Sequence, residues 1–183
     1  MKFSHPLMHN NFTKSDARAA IKLLKNKNLI LTQSKYVKEF ERKWSQWLGI
    51  KYTVFVNSGS SANFLTMAAL KLLYGKGEII VPSLTWVSDI VSVIQNNFKP
   101  VFVDINPKNL CMSENDIIKK INKKTLAVFI THAQGFNGLT SKLINFLRKK
   151  KVLLIEDVCE SHGATFNKKK LGTFGKISNF SFY

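Results

Sequence analysis

Three acids crowd the stretch "VLLIEDVCESHGA" (152–164): Glu156, Asp157 and Glu160. Acidic side chains seldom close a buried apolar strand unless something there needs a negative charge. A second stretch, "VNSGSSAN" (56–63), leaves a strand and opens a helix. Gly59 permits the tight turn, and free N–H groups with the hydroxyls of Ser58, Ser60 and Ser61 make an anion site; an ordinary capped helix start has the same residues. In "VPSLTWVS" (81–88), Trp86 stands just past a strand end. It is either a core aromatic or a flat plate on which a planar ring stacks.

The three features together suggest a ligand with a phosphate, a flat ring and a cationic ring nitrogen. Pyridoxal 5'-phosphate has all three, and its pyridine nitrogen must stay protonated to act as an electron sink. Asp157 would hold that proton by ion pairing. Taken singly, each acid reads as well as a helix N-cap or a loop acid. His132, in "THAQGFNG", is either a pocket contact or a hydrogen-bonded structural histidine, the second reading being favoured; His162 is left unassigned. His5 and His9 have helical metal-ligand spacing, but Pro6 argues against a helix there, so no metal site is expected. Cys159 reads as a small buried residue with no visible cause for a lowered pKa.

The elements that must position these residues alternate along 183 residues. Thr13 or Ser15 can cap a first helix with Ala17, Ala20, Ile21 and Leu24 on one face. Tyr36, Phe40, Trp44, Trp47 and Leu48 stripe a second helix that ends at Gly49. Strands are expected at 52–56, 78–83, 100–105, 125–131 and 152–157, with helices from Ser58, 85–95, 113–121 and 141–151 between them. The third helix aligns Leu65, Ala69, Leu72 and Leu73. A hairpin around Asn167 and a last strand, "ISNFSFY", complete the chain. Near-continuous apolar strands suit a parallel sheet covered by helices on both faces, and ligands of such sheets gather at the carboxyl ends of the strands.

Composition narrows the classes. With 45% hydrophobic residues and 14 Phe, a sizeable core is available. No apolar run is long enough to span a bilayer, and "MKFSHPLMHNNF" lacks a secretory h-region, so the expected location is cytoplasmic. Cys111 and Cys159 make no disulfide framework. The net charge of +17 invites a basic α/β nucleic-acid-binding module. Yet the positive charge is nearly all lysine, with only Arg18, Arg42 and Arg148 to supply the planar fork that base reading favours. Abundant Lys, Asn and Ile fit A/T-rich codon usage, and nucleic acid is an unfavoured partner.

"NSGSSAN", "IIVPSLTWVS", "PVFVDI", "LIEDVCESHGA" and "GTFGKISNFSFY" resemble, in order and spacing, the DegT/StrS family of pyridoxal-phosphate sugar aminotransferases. The resemblance covers essentially the whole chain and begins at "LTQSKYVKEFE". It implies the large domain of fold type I aminotransferases, a three-layer α/β architecture with a mostly parallel mixed sheet, spanning 1–183 and incomplete. Gly59, Ser60, Ser61 and Ser181 would hold the cofactor phosphate. Trp86 would stack on the pyridine ring, Asp157 would pair with its nitrogen, and Glu160 would lie near its phenolic oxygen. A homodimer with active sites at the subunit interface is implied, acting on a keto nucleotide sugar with an amino donor such as glutamate in polysaccharide or deoxyaminosugar biosynthesis.

One family residue is not among the 25 lysines: the lysine that anchors the cofactor would fall at the third position past Tyr183. The family's smaller C-terminal domain is missing as well. The expectation is the N-terminal portion of a longer protein, inactive by itself. In a sibling branch, the nucleotide-sugar 3-dehydratases, histidine replaces that lysine. "SGSSANF" and "CESHGATFNKKKLGTFG" look somewhat closer to that branch, and both readings stay open.

Overall fold

The computed structural model describes residues 11–182, so His5 and His9 lie outside the described residues. The chain divides into two compact units, Met1–Phe40 and Glu41–Tyr183. In the first, α1 (Lys14–Leu24) starts at Thr13, not Ser15. A capping box fixes that start: Thr13 Oγ1 accepts from the Asp16 N–H at 3.3 Å, and the Asp16 carboxylate accepts from the Thr13 N–H at 2.8 Å. The expected stripe forms but stays uncovered, with Ile21 and Leu24 both exposed.

The unit boundary falls inside α2 (Lys35–Leu48). That helix ends at Gly49, which takes φ +86° while its N–H reaches back to Ser45 O at 2.9 Å. The strand expected at 52–56 does not form. The segment joins no ladder, Tyr52 and Val54 are largely exposed, and the Phe55 N–H goes to Glu41 Oε1 at 2.8 Å. A β-branched run becomes a strand only when another strand accepts its hydrogen bonds, and among the described residues none lies alongside.

Five strands make the sheet: β1 (Glu78–Pro82), β2 (Lys99–Val103), β3 (Thr125–Thr131), β4 (Leu153–Asp157) and β7 (Ile177–Asn179), in the order β2-β1-β3-β4-β7. Every neighbouring pair is parallel. Successive side chains point to opposite faces, and that alternation builds two cores. Ile80, Val128, Ile130 and Leu154 pack with Ile117 of α5 (Glu114–Lys120) and Leu143, Ile144 and Leu147 of α6 (Ser141–Lys150). Ile79, Val81, Ala127, Phe129 and Ile155 pack with Met67 and Leu70 of α3 (Gly59–Tyr74) and Val93 of α4 (Val87–Gln95). Burial on both faces explains the unbroken apolar runs, each large side chain contributing roughly 1.5–3 kcal/mol.

Helix α3 turns a different face inward from the expected one. Asn63, Thr66, Met67 and Leu70 are buried, whereas Leu72 is 87% exposed and Leu65 and Leu73 are also open. The helix is apolar almost all round, so periodicity defines no unique core face. Its polar pair decides the matter: Thr66 Oγ1 donates to Asn179 Oδ1 at 2.9 Å, and Asn179 Nδ2 donates to Asn63 Oδ1 at 2.8 Å. The hairpin is as expected: β5 (Thr165–Phe166) pairs antiparallel with β6 (Lys169–Lys170). Asn167 and Lys168 both take positive φ, as its two-residue turn requires. Among the described residues no helix is long and apolar enough to cross a membrane.

Candidate active site

Because all five strands run parallel, the loops after β1, β3 and β4 emerge on one edge of the sheet, as does the start of α3. Asp157 is the last residue of β4, paired in register with Thr131 of β3. It is only 4% exposed, and its Oδ1 accepts the Cys159 N–H at 2.8 Å. Gly59 opens α3 against Ser181: a Cβ built at 59 would lie 3.2 Å from Ser181 Cβ and 3.6 Å from Cys159 Sγ. The first turn of α3, the serine after β7 and the loop after Asp157 therefore converge.

Ser58 caps α3, its Oγ accepting the Ser61 N–H at 3.1 Å. Ser61 thus offers an anion its hydroxyl more readily than its amide. The Gly59 and Ser60 N–H groups are first-turn donors at the positive end of a 16-residue helix. Trp86 precedes α4 with its residue 68% exposed, so it is no core aromatic. A shallow depression of about 390 Å³ runs along α3, lined by Val56, Asn57, Ser60, Ser61, Phe64 and Leu65. It shares the two serines with the anion site but includes neither Trp86 nor Asp157.

The three acids of the opening stretch separate completely. Glu156 is fully buried and accepts N–H bonds from Gly172 (2.8 Å), Phe174 (2.9 Å) and Gly175 (2.6 Å). His132 Nε2 lies 3.1 Å from Glu156 Oε2, while its Nδ1 accepts the Gly138 N–H at 3.1 Å. An accepting Nδ1 leaves the proton on Nε2, so His132 donates to Glu156 and is a structural histidine. Glu160 is exposed, and its Oε2 accepts the Gln134 N–H at 2.8 Å. Gln134 sits at φ +53°, and Ser161 Oγ ties the same loop by donating to His132 O at 2.5 Å. Glu160 therefore joins the loops that follow β3 and β4.

His162 belongs to an aromatic cluster. Its ring stacks on Phe180 and Phe182 with centroids 5.6 and 5.2 Å apart, and Trp44 meets it edge-on at 5.7 Å. Burial pushes its pKa down, partly offset by Asp157. The Cys159 thiol is pushed far up by burial and by the neighbouring carboxylate of Asp157, which suits an inert residue. Among the described residues no group of His, Cys, Asp and Glu could hold a metal ion.

Sequence reasoning missed Asp89. It is fully buried in the first turn of α4, and its Oδ1 accepts from Asn63 Nδ2 at 2.6 Å. Its Oδ2 accepts from Thr131 Oγ1 at 2.8 Å and from Thr85 Oγ1. Burial, then the charge and side chain of Asp157, raise its pKa to about 8 against the lowering pull of the two threonines. Helix starts favour an anion by up to ~2 kcal/mol. Burial, with the charge of Asp157 beside it, outweighs that pull, so the acid form wins. The signal in sequence was one acid within the apolar run "VSDIVSVI", easily taken for an exposed first-turn residue.

Residues 11–183 match the DegT/DnrJ/EryC1/StrS aminotransferase family. The chain belongs to this family. It is 36% identical over 154 residues to a GDP-perosamine synthase of Vibrio cholerae, a match covering 84% of this chain and 42% of that protein. A GDP-4-keto-6-deoxy-D-mannose 3-dehydratase of Escherichia coli O55:H7 is 33% identical over 183 residues, 97% of this chain and 47% of the other. The structure of an E. coli GDP-4-keto-6-deoxy-D-mannose-3-dehydratase with bound hydrated PLP superimposes with a TM-score of 0.90 at 33% identity, covering 98% of this chain and 47% of that one. The α/β fold is thus that of fold type I pyridoxal-phosphate enzymes. The chain spans about half the length of the curated relatives it matches.

Proposed function

We propose that this chain is the cofactor-binding half of a pyridoxal-phosphate-dependent aminotransferase acting on a keto nucleotide sugar in polysaccharide or deoxyaminosugar biosynthesis. The observation that carries the reading is the buried Asp157 at the end of β4, beside the Gly59–Ser181 contact at the start of α3. An isolated buried carboxylate is costly, and a cationic ring nitrogen at that spot would compensate it. The donor set fits the whole cofactor. First-turn amides and the hydroxyls of Ser60, Ser61 and Ser181 would bind the phosphate, and Trp86 would cover the ring.

When bound, pyridoxal phosphate supplies an electron sink for proton removal at a carbon bearing nitrogen. Asp157 would keep the ring nitrogen protonated by ion pairing, and Trp86 would orient the ring and exclude water from one face. Glu160, joined to Gln134, would fix the loop edge near the phenolic oxygen. The family pattern would put the proton-moving residue at the third position past Tyr183. Glutamate is the proposed amino donor.

A 3-dehydratase is the second reading, favoured by the 97% coverage of this chain in the dehydratase match against 84% in the perosamine synthase match. The complete coding sequence tests both: lysine at the third position past Tyr183 supports the aminotransferase, histidine supports the dehydratase, and any other residue contradicts both. The intact protein is proposed to be a cytoplasmic homodimer. Apolar side chains open on α3, such as Leu72 and Leu73, suit cover by further protein. A nucleic-acid role gains no support from the hairpin lysines, since Lys170 Nζ lies 4.7 Å over the Trp47 ring and bonds its carbonyl.

A further inference from the structure

Asp89 and Asp157 reach the same buried region from opposite directions, one from the first turn of α4 and the other from the end of β4. Thr131 ties them together: it is the register partner of Asp157 and donates to Asp89 Oδ2 at 2.8 Å. The oxygens around Asp89 are short of hydrogens. Thr85 Oγ1 lies 2.7 Å from Thr131 Oγ1, and both hydroxyls also contact Asp89 Oδ2. Three contacts among three oxygens need three protons, and two hydroxyls bring two. With both hydroxyls donating to an ionised Asp89, the Thr85–Thr131 contact has no hydrogen; a proton on Asp89 Oδ2, donated to Thr85 Oγ1, frees the Thr85 hydroxyl to donate to Thr131.

The surroundings agree with that count. Asn63 from α3, Thr131 from β3 and Thr85 from the preceding loop offer only amide and hydroxyl groups, and no cation bonds to Asp89 among the described residues. The titratable group acting on it is Asp157; Cys159 feels both acids and Glu160, and His162 feels Asp157. A carboxyl buried beside a second carboxyl is favoured in its neutral form. Asp89 is the fully enclosed member, while Asp157 accepts the Cys159 N–H at the strand end.

We infer that Asp89 is a positioning residue, a neutral buried acid that braces Asp157 so that the pair presents one negative charge for one ring-nitrogen cation. The role toward the cofactor rests on the pyridoxal-phosphate reading; the shared proton does not. Were both acids ionised, one buried charge would stay uncompensated after the cation had bound.

Infrared difference spectroscopy of the intact, cofactor-free protein tests the proton directly. The inference expects a protonated-carboxyl C=O band at pH 7 that shifts in D2O and is lost in Asp89→Asn. In Asp157→Asn the band should titrate away at a lower pH than in the wild type, because the neighbouring charge is gone. Absence of the band at pH 7, its survival in Asp89→Asn, or an unchanged midpoint in Asp157→Asn would each overturn the inference. Should Asp89→Asn fail to fold, the wild type and Asp157→Asn still decide it. A protein that shows the band but does not bind pyridoxal phosphate refutes the proposed function and leaves the paired acids standing.

Discussion

Glu156 and Asp157 are adjacent in sequence and lie on opposite faces of the sheet. Glu156 shares its face with Leu154, toward α5 and α6, and Asp157 shares its face with Ile155, toward α3 and α4. One step along β4 therefore separates an acid that fastens the fold from an acid at the candidate site.

Glu156 gathers three backbone N–H groups from residues 172–175 and the His132 ring. Removing its carboxylate leaves those buried donors unpaired. Glu156→Ala is expected to lower unfolding free energy by about 3–5 kcal/mol, as breaking a buried, hydrogen-bonded charge does. Chemical denaturation checks this; a loss under about 1 kcal/mol would contradict the anchoring role.

Asp89 gives stability a pH dependence of definite sign. Its pKa is about 8 when folded, well above the ordinary aspartate value of 3.8. Between those values the folded chain holds a proton that the unfolded chain has lost, so this contribution is full below pH 4 and disappears as pH rises through 8. Asp89→Asn should remove the slope. The difference in thermal midpoint, variant minus wild type, should grow from pH 5 to pH 8, and a constant difference would contradict a neutral Asp89.

Trp86 is open enough for its truncation to spare the fold. Trp86→Ala should shift stability by no more than about 0.5 kcal/mol. The same change should weaken pyridoxal-phosphate binding by about five- to tenfold, equivalent to about 1–1.4 kcal/mol of lost stacking. Fluorescence titration of the intact protein measures the effect; unaltered affinity would remove Trp86 from the site.

Much of this was legible in sequence where one physical signal dominated. The buried strands β1, β3 and β4 announced themselves as apolar runs, and Thr13 and Ser113 stand where helix caps belong, whereas the Thr140 cap of α6 emerged only in the structure. Elsewhere the deciding partners were distant. The segment 52–56 has strand-forming residues without a strand beside it, and α3 is apolar on too many sides for its pattern to choose a face. That choice fell to Asn63 and Thr66 through Asp89 and Asn179, contacts spanning 26 and 113 residues of chain. Asp89 was invisible for the same reason, since its environment comes from three other elements. Gly59 and Asp157 stood out by residue type and position, Ser181 was nameable only through family resemblance, and the fold is what brings Gly59 and Ser181 into contact.

The most direct test of the central claim is turnover by Asp157→Asn in the intact protein. Asparagine keeps the size and the Cys159 N–H acceptor but cannot hold a cationic ring nitrogen by charge. The expected result is a folded protein whose turnover falls on the order of a hundredfold, about 2.7 kcal/mol of transition-state stabilisation. Undiminished turnover would contradict the assignment of Asp157.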